Sequence, residues 1–115
     1  MLAVALLTLG LAGPPAAYVE PGHTRLAVSS WCWGPKCGAP IAASAKTISV
    51  RRGASIRIHL AFAPTTARVA IAGAAVPVTR HGRDLTWLAA RPGGVTIGVT
   101  GGKGFVTYVS RLAVR

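Results

Sequence analysis

Two cysteines lie in the part of the sequence that is richest in chemically distinctive side chains. Trp31 and Trp33 flank Cys32, and a Gly-Pro-Lys turn leads from there to Cys37. In an exported protein, two cysteines joined by a turn predict a local disulfide. Closing so short a loop stabilises a fold by about 2 kcal/mol in the chain-entropy account. We therefore expect a structural Cys32–Cys37 bond.

A thiol–disulfide oxidoreductase is the enzymatic alternative, because thioredoxin active sites also contain a tryptophan followed by two cysteines around Gly-Pro. Such a site places the first thiolate at the N-terminus of a helix, which lowers its pKa. Here Trp33 and Lys36 widen the spacing between the cysteines, and no helical period follows them. The pattern therefore favours a structural disulfide over redox catalysis.

Histidine and acidic residues could supply metal ligands or acid–base groups. His23, His59 and His81 are far apart in the sequence, and the cysteine spacing is wider than in zinc knuckles. Glu20 and Asp84 are the two acids of the chain, which gives little basis for a catalytic carboxylate pair. No glycine-rich loop precedes a predicted helix. The sequence predicts no metal site, no cofactor and no enzymatic activity.

The charge of the chain is strongly positive. Thirteen Lys and Arg residues face two acids, which gives a formal net charge of +11 at pH 7. Such a surface attracts polyanions, including nucleic acid, anionic lipid heads and phosphate-rich wall polymers. An equally weighted interpretation is that the charge only keeps the domain soluble. The residues expected to form a basic and aromatic binding surface are Trp31, Trp33, Lys36, Arg51, Arg52, Arg57 and Arg68.

The N-terminal residues have the features of a signal peptide or an uncleaved leader. Leu2–Ala12 is an uncharged apolar run of signal-peptide length. Gly13–Pro15 ends that run well before the roughly 20 residues that a membrane-spanning helix needs. We expect export to the cell envelope or the medium, with no transmembrane span in the mature chain. The expected division is a leader over 1–17, a linker over 18–23 and a β domain over 24–115.

Apolar and polar residues alternate along the rest of the chain with the period of β-strands. The clearest alternation runs over Ser55–Phe62, where Arg57 and His59 face away from the apolar side. Gly101–Gly104 is a hairpin signal, and Pro77 limits its segment to an edge or a bulge. Further strands are predicted over Thr24–Trp33, Lys46–Val50, Ala67–Ile71, Val76–Thr79, Asp84–Leu88, Val95–Thr100 and Phe105–Val114.

Many short strands without helical periodicity are typical of a β-sandwich. The length of 115 residues is enough for one such domain. The predicted fold is therefore all-β: a small antiparallel immunoglobulin-like sandwich of about seven strands with one local disulfide.

The segment Ser29–Cys37 resembles a signature of small exported or lipid-anchored proteins of Gram-positive bacteria, Ser-Tyr-Cys-Trp…Cys, which a β-rich domain follows. The stretch from Leu85 to Val114 is similar to the closing two strands of those proteins. This chain has Trp31 in place of the tyrosine and no lipid-attachment cysteine. The resemblance implies a β fold and an exported location, and the family carries no assigned activity.

At the level of the sequence, two functions are favoured over the third alternative, a thiol–disulfide oxidoreductase. One is a non-enzymatic cell-envelope domain that binds an anionic wall polymer or an envelope protein through its basic surface, with no specific nucleic acid as partner. The other is a structural accessory domain without a ligand, whose charge maintains solubility.

Overall fold

The computed structural model describes residues 13–20, 22–38 and 47–115, and every regular element in these ranges is a β-strand. The expectations for Leu2–Ala12, for the connection that follows Gly38, and for Lys46 lie outside the described residues. The strands are β1 (Ala17–Glu20), β2 (Thr24–Arg25), β3 (Ala27–Trp33), β4 (Lys36–Gly38), β5 (Thr47–Val50), β6 (Ser55–Leu60), β7 (Thr66–Ile71), β8 (Ala74–Val76), β9 (Thr79–His81), β10 (Asp84–Leu88), β11 (Gly93–Gly101) and β12 (Gly104–Val114).

The strands form two sheets packed as a sandwich. Sheet A has the order β2-β1-β6-β10-β9, and sheet B has the order β4-β3-β12-β11-β7-β8. Neighbouring strands are antiparallel, except that β5 runs parallel to the end of β12. The cores of the two sheets, β1-β6-β10-β9 and β12-β11-β7, have the A-B-E-D and G-F-C order of an immunoglobulin sandwich. The predicted fold class is confirmed.

The alternation along β6 shows why these residues form a strand in this register. Ile56, Ile58 and Leu60 are buried between the sheets, whereas Arg57 and His59 are exposed. A slip of one residue would bury the two polar side chains, so burial of the apolar face fixes the register. The predicted orientation of this strand is confirmed.

The β11–β12 hairpin forms the centre of sheet B. Its two strands are paired from Gly93↔Leu112 to Gly101↔Gly104, so the predicted hairpin signal is confirmed. Along β12, the side chains of Val106, Tyr108 and Leu112 point into the core. This hairpin therefore gives the sandwich a long axis with two distinct ends.

The strand count differs from the prediction, because two predicted strands are divided and two strands, β1 and β4, were not predicted. The described residues contain twelve strands rather than about seven. The predicted strand at Val76–Thr79 is replaced by β8, at the edge of sheet B, and β9, at the edge of sheet A. Pro77 lies between them, at the point where the chain passes from one sheet to the other. Its ring nitrogen has no hydrogen to donate to a neighbouring strand, so proline suits a break between two strands.

The prediction of a linker over 18–23 is wrong. Tyr18–Glu20 belongs to β1, which pairs with both β2 and β6. Ala17 is fully buried, and the hydroxyl of Tyr108 donates a hydrogen bond to the carbonyl of Pro15, at 2.7 Å. The folded domain therefore begins before the expected start at residue 24.

Within the described ranges, the structure has no helix whose length and apolarity would let it cross a membrane.

Candidate functional site

The seven residues expected to form a binding surface do not lie together. Trp31 belongs to the core, with 8% of its surface exposed, so its assignment to a surface is wrong. Side chains alternate between the two faces of β3, so Trp31 points to the face that Cys32 does not, which is the core side. Its cross-strand neighbour is Gly38 of β4. Trp33 is half-buried and packs against Phe62, with ring centroids 4.7 Å apart. Neither indole forms an exposed aromatic ledge.

The basic members of the set are spread over several faces. Lys36 is exposed on β4, opposite Trp33. Arg57 lies on the outer face of sheet A and Arg68 on the outer face of sheet B. Arg51 and Arg52 precede β6, at the end of the sandwich where β12 finishes. The sequence identified exposed cations but could not show which of them are neighbours.

The predicted disulfide is confirmed. Cys32 of β3 and Cys37 of β4 are direct cross-strand partners with Cα atoms 3.9 Å apart, and a bond joins their sulfurs. Because both cysteines lie in strands, the first sulfur has no helix dipole to stabilise a thiolate, as an oxidoreductase of the thioredoxin type requires. The bond fastens the short edge strand β4 to sheet B.

Five arginines gather at the end of the sandwich where β12 finishes. The backbone N–H of Arg52 donates to the carbonyl of Arg115 at 2.9 Å, and the N–H of Gly53 donates to the carbonyl of Ala89 at 2.8 Å. These bonds join the turn before β6, the end of β12 and the loop after β10. All five arginine side chains are exposed. We call this set the arginine end: Arg51, Arg52, Arg91, Arg111 and Arg115.

The arginine end has no acidic partner among the described residues. Glu20 and Asp84 each lie against a histidine, and neither carboxylate is ion-paired with a Lys or Arg of the described ranges. Five uncompensated guanidinium groups at one end create a local positive potential that is screened over a Debye length of about 10 Å at 0.1 M salt. Such a potential attracts anions.

The histidines and acids gather on a different surface, the outer face of sheet A. Cross-strand pairing places Tyr18 beside His59, His59 beside Asp84, and Asp84 beside His81. Residues directly opposite one another on antiparallel strands point to the same side of the sheet. Sequence reasoning treated the three histidines as isolated, so this grouping is a correction.

Two histidine–carboxylate pairs give this face its chemistry. Nδ1 of His59 lies 2.8 Å from Oδ1 of Asp84, and Nδ1 of His23 lies 2.6 Å from Oε2 of Glu20. The hydrogen bond with His23 holds the pKa of the Glu20 carboxyl below its usual value. Each imidazole uses Nδ1 on its carboxylate, which leaves Nε2 for another partner.

A shallow pocket lies beside these pairs. Its volume is about 240 Å³, and its lining includes Tyr18, His23, His59 and Arg83. The ring of His23 stacks on Tyr18, with centroids 4.1 Å apart and planes within 5°. We call this the histidine pocket. No set of three potential His, Cys, Asp or Glu ligands that could hold a metal ion occurs in the part of the chain that the structure describes.

One of the two pairs could have been found from the sequence. Glu20 and His23 are three residues apart around a Pro-Gly turn, a spacing that lets the two side chains meet. The His59–Asp84 pair depends on β6 lying next to β10, and the sequence does not reveal that strand order. Comparison of the chain with protein-family models, with curated proteins and with solved structures found no match.

Proposed function

We propose that this chain is an exported, non-enzymatic β-sandwich that binds an anionic polymer of the cell envelope. The observation that carries the proposal is the arginine end, where five exposed guanidinium groups have no carboxylate partner among the described residues. The apolar, leader-like run Leu2–Ala12 supports the exported location, whereas residues 15–17 of the predicted leader contribute to the folded domain.

The side chains of the arginine end favour phosphate-rich polymers over other anions. A guanidinium group presents a rigid fork of donors that matches the oxygens of a phosphate or carboxylate. Several such groups at one end suit a ligand with repeated anionic groups, because each phosphate they neutralise releases a condensed counterion. A wall polymer with a phosphodiester backbone has this repeat.

The proposal is tested by binding to a poly(glycerol phosphate) chain at several salt concentrations. The test variant is R51Q/R52Q/R115Q, which removes three charges from the arginine end. The matched control is K36Q/R68Q/K103Q, which removes three exposed charges elsewhere. Lys103 and Lys36 lie near the opposite end of β12, where the N–H of Gly34 donates to the carbonyl of Lys103 at 2.8 Å.

We expect the affinity of the native chain to fall steeply with salt. Each contacted phosphate adds roughly 0.7–0.9 to the slope of log K against log salt concentration for a nucleic-acid polyanion. The slope should decrease by about 2–3 in the arginine-end variant and much less in the control. Equal losses in both variants would indicate attraction by net charge alone. No binding at low salt would favour the structural accessory domain.

A further inference from the structure

We propose that the histidine pocket is a binding site for a single phosphate group, either free or part of a phosphodiester. This site is separate from the arginine end and does not depend on the proposed function. Three residues that line the pocket, His23, His59 and Arg83, carry side chains that can bind a phosphate. The groups that would hold it are the two imidazoles and the guanidinium.

The two histidine–carboxylate pairs determine which ring nitrogen of each imidazole is left to bind a ligand. With Nδ1–H donating to a carboxylate, a protonated imidazole has Nε2–H left to donate to an anion. The same arrangement occurs twice, between His23 and Glu20 within one hairpin and between His59 and Asp84 across two strands. A role confined to holding the hairpin turn would not account for the second pair.

Ring contacts hold His23 in place at the turn between β1 and β2. Its φ of 49° belongs to the turn, since Ala72 has a φ of 51° in the turn between β7 and β8. The stacking on Tyr18 and the bond to Glu20 fix the ring over the outer face of β1.

Positive charges outnumber negative ones around the pocket, which favours an anion over a cation. Both acids of the chain, Glu20 and Asp84, lie against the pocket histidines. Arg83 lines the pocket, and Arg25 and Arg57 are cross-strand neighbours of residues on β1. The volume of about 240 Å³ is several times the roughly 30 Å³ that one water molecule occupies in the liquid, so the pocket has room for a phosphate group.

The test is an NMR titration of the histidine side-chain nitrogens of the full chain with inorganic phosphate at constant ionic strength. The pH is 5.5, near the acid end of the range in which imidazole groups in general gain a proton. We expect saturable shifts of the Nε2 signals of His23 and His59. His81 does not line the pocket, and its signals should move much less.

Matched variants separate this site from general attraction by charge. R83Q removes a pocket arginine, and R91Q removes one loop arginine of the arginine end. We expect R83Q to weaken phosphate binding about tenfold, the loss of one hydrogen bond to a charged group, and R91Q to change it less than twofold. H59N should weaken binding more than H81N, which provides a second comparison if one variant folds poorly.

The outcomes are distinct. Equal effects of R83Q and R91Q, or equal shifts of all three histidines, would overturn the proposal. A parallel titration with dimethyl phosphate separates the two sources, because binding of both probes indicates a phosphodiester ligand and binding of inorganic phosphate alone indicates a free or terminal phosphate. The variant R51Q/R52Q/R115Q should bind inorganic phosphate normally, so a failure of the proposed function leaves this result unchanged.

Discussion

The indole of Trp31 leaves no space for a side chain at Gly38. A Cβ atom built on Gly38 would overlap the indole, whereas one built on Gly98 of β11 would meet nothing within 4 Å. The two positions therefore form a matched pair of strand glycines with different surroundings.

We expect G38A to lower the free energy of unfolding by about 1–3 kcal/mol, the usual cost of overpacking a core. G98A should leave this free energy almost unchanged. Chemical denaturation of both variants, followed by tryptophan fluorescence, measures the difference. Equal stability of G38A and the native chain would contradict the position of Trp31 in the core.

Tyr108 makes the free energy of unfolding depend on pH in the alkaline range. Burial raises the pKa of its phenol well above the usual value of 10.0. Above about pH 10 the unfolded chain loses this proton while the folded chain keeps it, so the free energy of unfolding falls as the pH rises.

We expect Y108F to be less stable than the native chain by about 1 kcal/mol at pH 8, because the hydrogen bond to Pro15 is lost. The difference should narrow above about pH 10, where only the native chain is penalised for keeping the buried phenol protonated. Urea denaturation of both proteins between pH 8 and pH 11 measures it. A constant difference over this range would contradict the shifted pKa.

At the scale of single residues, the sequence predicts which way side chains face but not which ones meet. The outward orientation of Arg57 and His59 follows from strand alternation alone. The contact between His59 and Asp84 requires the β6–β10 pairing, which arises from the way the chain crosses between two sheets. For the same reason, the arginine end could not be assembled from the sequence.

At the scale of elements, the disulfide fastens one hairpin at the edge of sheet B. Strand β4 has three residues, all exposed, and pairs with β3. We expect C32A/C37A to keep the sandwich and to lose about 2 kcal/mol of stability, since the cross-link no longer restricts the unfolded chain. Denaturation of the variant, with circular dichroism to confirm the β fold, measures the loss. Complete unfolding of the variant would show that the edge hairpin organises the whole domain.

Strand β1 brings the residues before Tyr18 into the fold. A chain that starts at Gly13 keeps Ala17 in the core and the carbonyl of Pro15 as the acceptor for Tyr108. A chain that starts at Tyr18 loses both, and we expect it to be less stable by about 2 kcal/mol. Parallel denaturation of the two chains measures this difference. Equal stability would show that the residues before Tyr18 are not needed for the folded domain, as expected if residues 1–17 are only a leader.

Most of the strands could be predicted from the sequence. The strand at Asp84–Leu88 has the predicted bounds, and Phe105–Val114 agrees within one residue, because both have period-two patterns between clear turn signals. Strand β1 was missed because four residues beside a Pro-Gly turn carry too short a pattern. Its strand character depends on pairing with β6.

At the scale of the whole molecule, the fold separates two kinds of polar surface. The arginine end carries uncompensated positive charge, and the outer face of sheet A carries both acids of the chain, each paired with a histidine. Net charge predicts attraction to polyanions without showing where they bind. The immunoglobulin-like strand order brings the turn before β6, the loop after β10 and the end of β12 together, and the proposed binding site lies there.

The most direct test of this account is an amide NMR map of the chain titrated with poly(glycerol phosphate). We expect the largest shifts at residues 51–53, 91–94 and 111–115, which lie at or beside the arginine end. Shifts that leave these residues unchanged and concentrate near Gly34 and Lys103, at the opposite end of β12, would contradict it.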